Sequence, residues 1–213
     1  MPARNAERNA ERNGDVRVEP LTGQALAAAL PDLARLRITV FRDWPYLYDG
    51  TLDYEQGYIN RFAAARDAII VAAIVATVDG DRIVGAATAL PMAGQADAFA
   101  EPFRQRGYDI DRIFYCGESV LLPEYRGRGL GHAFFAHREA HALSLGRFTH
   151  ATFCGVVRPI DHPRRPPDYV PLDAFWAKRG YARVDGLTGS FDWPDIGETA
   201  ASAKPMPFWM KAL

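Results

Sequence analysis

Cysteine is scarce in this chain: Cys116 and Cys154 are the only two among 213 residues, and each lies inside an apolar stretch. That usage excludes a disulfide framework, and two isolated cysteines make no zinc-ligand spacing, so both read as reduced core thiols. Charge of one sign is missing too. With 25 Lys and Arg against 26 Asp and Glu, the formal net charge is −1. No global field therefore draws nucleic acid or an anionic membrane, and any anion site must be local. No apolar run approaches a membrane span, and "MPARNAERNAERNG" lacks the apolar core of a signal peptide. The expectation is a cytoplasmic protein with no nucleic-acid or membrane partner. What is present is a hydrophobic fraction of 48%, enough for one folded domain with a full core.

Residues 1–14 repeat Asn-Ala-Glu-Arg and offer no apolar face, which predicts a mobile polar tail ahead of a single domain over residues 15–213. "DVRVEP" alternates as a short strand does. Thr22 is placed to cap a helix over residues 24–41, interrupted or restarted at Pro31-Asp32. "LDYEQGYINRFAAA" puts Leu52, Ile59 and Phe62 on one helical face. "AIIVAAIVATVDGDRIVGAATAL" reads as two antiparallel strands, with Asp79-Gly80 as a tight primed turn. Residues 93–111 form a polar, glycine-containing stretch to which no element is assigned. A fourth strand follows at 113–122, then a glycine motif and a helix from about residue 130 to 145. "THATFCGVVR" gives a fifth strand, "LDAFWAKRG" a short helix, and 181–184, 189–193 and "PMPFWMKAL" the last strand candidates. The order is that of an α/β (α+β) domain with one clear parallel crossover, at the glycine motif. The segment "PFWMKAL" either completes the sheet or exchanges with a second subunit in a homodimer.

The motif, "PEYRGRGLGHAFF" at residues 123–135, places three alternating glycines and two arginines between a strand and a helix. A glycine turn opening a helix exposes converging N–H groups at the helix's positive end, which suits a phosphate or pyrophosphate. Arg126 and Arg128 add donors matched to phosphate oxygens. A P-loop ends in Gly-Lys-Ser/Thr, whereas this motif ends in Gly-His, so nucleotide hydrolysis is disfavoured. The dinucleotide fingerprint G-x-G-x-x-G does not fit alternating Gly127, Gly129 and Gly131, and no acidic residue follows at the required distance.

Arg126-Gly127-Arg128-Gly129-Leu130-Gly131 does fit the Q/R-x-x-G-x-G/A motif of the GNAT superfamily, the acyl-CoA-dependent N-acyltransferases. The phrase "VLLPEYRGRGLGHAFF", Ala142 and Gly146 at family-like spacing, and "AFWAKRGY" extend the resemblance over nearly the whole domain. The resemblance implies the GNAT fold: a mixed, mostly antiparallel central sheet, splayed between strands four and five and flanked by helices. It implies acetyl-CoA as co-substrate and no metal. The amides of Gly127, Arg128, Gly129, Leu130, Gly131 and His132 would cradle the pyrophosphate, with Arg126 beside them. Backbone groups of Leu121 and Leu122 would bond the pantetheine, and an amide near Leu121 would polarise the thioester carbonyl. The activity implied is acetyl transfer to a primary amine, of a small molecule, by direct attack in a ternary complex. Two alternatives stand beside it: a non-catalytic acyl-CoA sensor, and a protein lysine or N-terminal acetyltransferase.

An alkyl ammonium, with a pKa of roughly 10, must lose its proton before it attacks. Glu118, an acid in an otherwise apolar strand, is the candidate general base. The family's usual tyrosine in the last helix is replaced by Trp176, which leaves the general acid unassigned between Tyr169, another tyrosine and solvent; Tyr181 reads as a core aromatic. His137 and His141 lie one helical turn apart, but "HREAH" sets Glu139 one place late for H-E-x-x-H. Trp44, Tyr46 and Tyr48, with Arg158 on the loop after strand five, are the candidate acceptor-binding residues, aromatic faces that suit a cationic amine.

Overall fold

The computed structural model describes residues 16–95 and 97–213, so the polar tail expected over 1–14 lies outside the described residues. Seven strands form one sheet: β1 (Val16–Leu21), β2 (Ile69–Thr77), β3 (Gly80–Pro91), β4 (Ile113–Leu121), β5 (His150–Cys154), β6 (Ala182–Trp193) and β7 (Ser202–Ala212), in the spatial order β1-β2-β3-β4-β5-β7-β6. Every pairing is antiparallel except β4 with β5. The C-terminal segment therefore completes the chain's own sheet, lying between β5 and β6.

β2 shows why its sequence is an unbroken apolar run. Ile70, Ala72 and Ile74 enter one core, while Ile69, Val71, Ala73 and Val75 enter another across the sheet. A strand buried on both faces needs apolar residues at every position rather than every second one. The first core is covered by α1 (Gly23–Phe41), α2 (Leu52–Ala64) and α3 (Asp97–Arg104); the second by α4 (Leu130–Ser144) and α5 (Asp173–Lys178). Phe134 of α4 is 1% exposed, and truncating such a ring to alanine costs about 3–5 kcal/mol.

Several local expectations are corrected or refined. α1 runs through Pro31 without interruption. Proline removes one backbone donor, but Ala29, Leu33 and Leu36 carry the buried face across it. Thr22 holds the extended N-cap backbone, yet its side chain makes no cap bond. In α2, Ile59 and Phe62 are buried as the spacing predicts, but Leu52 is exposed and Glu55 is fully buried in its place. The β2–β3 hairpin is present, with Val78 and Asp79 in the turn and Thr77 paired to Gly80; the positive φ of +113° belongs to Gly80 alone, so Asp79-Gly80 is not a primed turn. The polar stretch 93–111 holds α3, whose Ala100 and Phe103 are buried while its acids face water. Among the described residues no helix is long and apolar enough to cross a membrane.

Candidate active site

β4 and β5 pair over only three residues, Ile113 to Tyr115 against His150 to Thr152, and then part. The gap widens into a cavity of about 560 Å³, with Gly117 and Glu118 on one wall and Cys154 and Gly155 on the other. A bulge opens the β4 side: Glu118 faces Thr88 and Cys116 faces Ala89, leaving Gly117 unpaired on β4. Only glycine fits there, because a Cβ would lie 2.7 Å from Thr88 Oγ1 and 2.9 Å from Phe62 Cζ.

Antiparallel pairing alternates the direction of backbone groups. The Leu122 amide donates to the Val84 carbonyl at 3.0 Å, so even-numbered residues after the bulge face β3 and the amides of Ser119 and Leu121 face the opened gap. The Leu122 carbonyl is used as well, accepting from Tyr125 N at 3.0 Å. Leu122 is thus committed to the fold, and only Leu121 of the predicted pair lines the cavity.

The glycine turn follows at the cavity's rim. Gly127 and Gly129 have φ of +76° and +80°, and Gly129 is the N-cap of α4. Among the described residues no backbone carbonyl takes the amides of Gly127, Gly129, Leu130 or Gly131. The His132 amide, unlike these, donates to a backbone carbonyl, that of Gly129 at 3.0 Å; its side chain lines the cavity and its ring packs edge-on against Phe175. Gly131 has a steric reason too, since a Cβ would meet Phe175 at 3.3 Å. Arg126 lines the cavity, its Nε 3.4 Å from the Leu121 carbonyl. Arg128 instead lies over the Tyr125 ring and bonds the Glu124 carbonyl, away from the cavity lining. These unbonded amides, one guanidinium and open space around Gly127 and Gly129 fit a pyrophosphate.

Glu118 lines the cavity, but its Oε2 is ion-paired with Arg37 of α1, and Tyr58 bonds it as well. Arg37 Nε also donates to Glu55 Oε2 at 2.5 Å. Burial opposes the charge on Arg37, yet Glu118, Tyr58 and Glu55 together hold its guanidinium above the usual value. Sequence reasoning missed Glu55 because it sits in a helix register that predicts an exposed acid; the buried arginine is what brings it inside.

On the acceptor side the structure separates the four predicted residues. Trp44 and Tyr46 line the cavity. Tyr48 does not: it bridges Asp195 through its backbone and turns its ring toward Glu55 and Tyr54. Arg158 lines the adjoining second cavity, with its guanidinium committed to a clamp. It pairs with both oxygens of Asp195 at 2.7 and 2.8 Å and donates to the Pro45 and Tyr46 carbonyls at 2.8 and 2.7 Å. Those bonds fix the Trp44–Tyr46 loop against the end of the sheet. A second cavity of about 370 Å³ adjoins the first through Trp44, Tyr169 and Trp176.

No protein-family model matches the sequence, and no curated protein matches it. Solved structures do. A GNAT-family acetyltransferase from Streptococcus pneumoniae is 13% identical with a TM-score of 0.55, over 93% of this chain and 100% of that one. An aminoglycoside 6'-N-acetyltransferase complexed with coenzyme A is 16% identical with a TM-score of 0.56, over 92% and 96%. NAA60 of Arabidopsis thaliana, in complex with a bisubstrate analogue, is 10% identical with a TM-score of 0.61, over 93% and 99%. This is the GNAT fold.

Within the GNAT fold, the place where the resemblance expects a tyrosine hydroxyl holds the indole of Trp176, over Gly155 and edge-on to Phe153 and Trp209. Tyr181 is buried and donates to Glu139 Oε1 at 3.1 Å, with burial holding its hydroxyl protonated. Tyr169 is the tyrosine that reaches both cavities, and burial raises its pKa. Cys154 also lines the GNAT cleft, but burial pushes its thiol up to about 12, against a bond from Tyr115. A thiol protonated at neutral pH is a poor nucleophile. His141 Nε2 lies 3.0 Å from the Asp67 carbonyl and its ring packs against Phe114, near the C-terminal end of α4 and outside the cavity lining.

Proposed function

We propose that this chain is an N-acyltransferase that moves an acetyl group from acetyl-CoA to the primary amine of a small molecule, by direct attack in a ternary complex. One observation carries the reading: the unbonded amides of the glycine turn and the unpaired edge of β4 open onto the same cavity. The pyrophosphate is assigned to the amides of Gly127, Gly129, Leu130 and Gly131 with Arg126, and the pantetheine to the Leu121 edge. The thioester supplies an electrophilic carbon: the amine nitrogen bonds to it as the C–S bond breaks, the electron pair leaving on sulfur and one proton leaving nitrogen.

Glu118 is the assigned acceptor of that proton, directly or through water, and its carboxylate would also attract an ammonium. Trp44 and Tyr46 supply aromatic faces to the acceptor. Their loop is pinned by Arg158, which favours an enclosed acceptor over a protein chain. Tyr169 is the assigned proton donor to the departing thiolate.

Calorimetric titration with acetyl-CoA tests the donor half. Binding to wild type that Arg126→Ala weakens supports the cradle; no binding to folded wild type overturns the reading. Thiol release and product mass over an amine panel then test the transfer. Trp176 in the tyrosine position favours a second reading, a non-catalytic acyl-CoA sensor, which predicts binding without turnover across the whole panel.

A further inference from the structure

Arg138 lies on α4 and is 1% exposed, the largest of the fully buried side chains. Among the described residues it has no carboxylate partner. Its Nη1 donates to the Glu118 carbonyl at 3.0 Å and to the Thr88 carbonyl at 3.3 Å; its Nε donates to the Phe134 carbonyl at 3.2 Å. Its Nη2 is buried without an acceptor. The centroid of the Phe135 ring lies 4.7 Å from its Cζ; burying a cation against carbonyls and one aromatic face, with no carboxylate, is costly, so its position demands a reason beyond packing. Glu118 and Thr88 are the two residues that face each other at the β4 bulge, where the site opens.

The carbonyl of Glu118 and the N–H of Ser119 belong to one peptide unit and point in opposite directions. The carbonyl faces β3 and meets Arg138; the N–H faces the gap beyond the last β4–β5 pair at Tyr115. A charged donor on a peptide oxygen draws electron density from its nitrogen, and hydrogen bonds in such a chain strengthen one another in a low dielectric.

We infer that Arg138 is a positioning residue for acyl transfer: it polarises the Glu118–Ser119 peptide from the α4 face of the sheet, so that the Ser119 N–H becomes the strong donor to the acyl oxygen in the cleft. The inference rests on the acyltransferase reading and assigns the donor to Ser119 rather than to Leu121. Arg138 also lines the cavity, but the role inferred rests on its bond to the Glu118 carbonyl and not on contact with substrate. As negative charge grows on the acyl oxygen, the bond from Ser119 strengthens, and the fixed cation behind it contributes most at that point.

The infrared carbonyl band of acetyl-CoA labelled with ¹³C at the carbonyl, bound to wild type and to Arg138→Lys, Arg138→Gln and Arg138→Met, reads the polarisation directly. The band is expected to fall in wild type relative to free acetyl-CoA and to keep most of that shift in the lysine variant. It should return toward the free position in the glutamine and methionine variants. Thiol release with the best amine should drop on the order of tenfold in the last two, equivalent to about 1.4 kcal/mol of barrier, with acetyl-CoA affinity held. A residue that merely packs the bulge would leave the band of folded variants unmoved, and that result would overturn the inference. So would a wild-type band at the free position despite calorimetric binding, a result that needs no variant to fold. Absence of binding to wild type overturns the acyltransferase reading itself, a distinct result.

Discussion

Two buried arginines approach Glu118 from opposite faces of the sheet, and they are held in opposite ways. Arg37, from α1, takes the side-chain carboxylate and shares itself with Glu55. Arg138, from α4, takes the backbone carbonyl; its hydrogen bonds go only to peptide oxygens, and its guanidinium lies over the Phe135 ring. The first cation sits among charges that need it. The second sits among dipoles that would survive without it. Burial alone therefore does not say what an arginine does; its partners do.

Removing each cation breaks or sharpens that contrast. Arg37→Met leaves two buried carboxylates without their cation, which costs about 3–5 kcal/mol. Arg138→Met leaves carbonyls one donor short, and the loss is about 1–3 kcal/mol. Denaturant midpoints of the two variants should fall in that order, and equal losses would erase the distinction. Adding Glu55→Gln to Arg37→Met should recover part of the stability, since it removes one unpaired charge.

Next in size is the bulge that both arginines flank. Gly117→Ala drives a methyl against Thr88 and Phe62, an overpacking of about 1–3 kcal/mol. Turnover should fall more than acetyl-CoA affinity, because the bulge sets the Glu118–Ser119 peptide rather than the cradle. Gly129→Ala tests the cradle alone. Open space surrounds the added methyl, but φ is +80°, so strain of about 1 kcal/mol should appear chiefly as weaker calorimetric binding.

The smallest effect is a pH dependence. Burial by itself would raise the Asp195 pKa, but Arg158 and Lys204 outweigh it and hold the carboxyl below its ordinary value. A depressed folded pKa adds stability above the unfolded value of about 3.9, and that stability is lost as pH falls through the folded value. Thermal scans of wild type should thus show no contribution from this pair to any change above pH 5, and a loss below pH 4 that Asp195→Asn lacks.

The donor half was legible because it is contiguous. One stretch of sequence supplies the end of β4, the glycine turn and the head of α4, and glycine has few reasons to alternate there other than backbone conformation and close approach. Even so, the sequence did not distinguish Arg126, which reaches the cavity, from Arg128, which lies on Tyr125, since both flank the same glycine. Leu122 and His132 were placed in the site by motif, but each amide is taken by a carbonyl that only the folded strand or helix presents. α3 escaped notice because its two buried residues, Ala100 and Phe103, are outnumbered by acids and a proline.

The acceptor half was not legible. Tyr48 and Arg158 looked like Trp44 and Tyr46 in composition, yet Arg158 spends its donors on Pro45, 113 residues away, and on Asp195, 37 residues further along.

By itself, then, the sequence determined the order of the strands and of the helices other than α3, the β2–β3 hairpin and the glycine turn at the head of α4, because period, turn chemistry and glycine act between neighbours in the chain. Only the tertiary structure decided which charges are paired, which amides stay open and which aromatic rings reach the cleft. Those depend on groups far apart in sequence competing for the same few partners once water has been excluded.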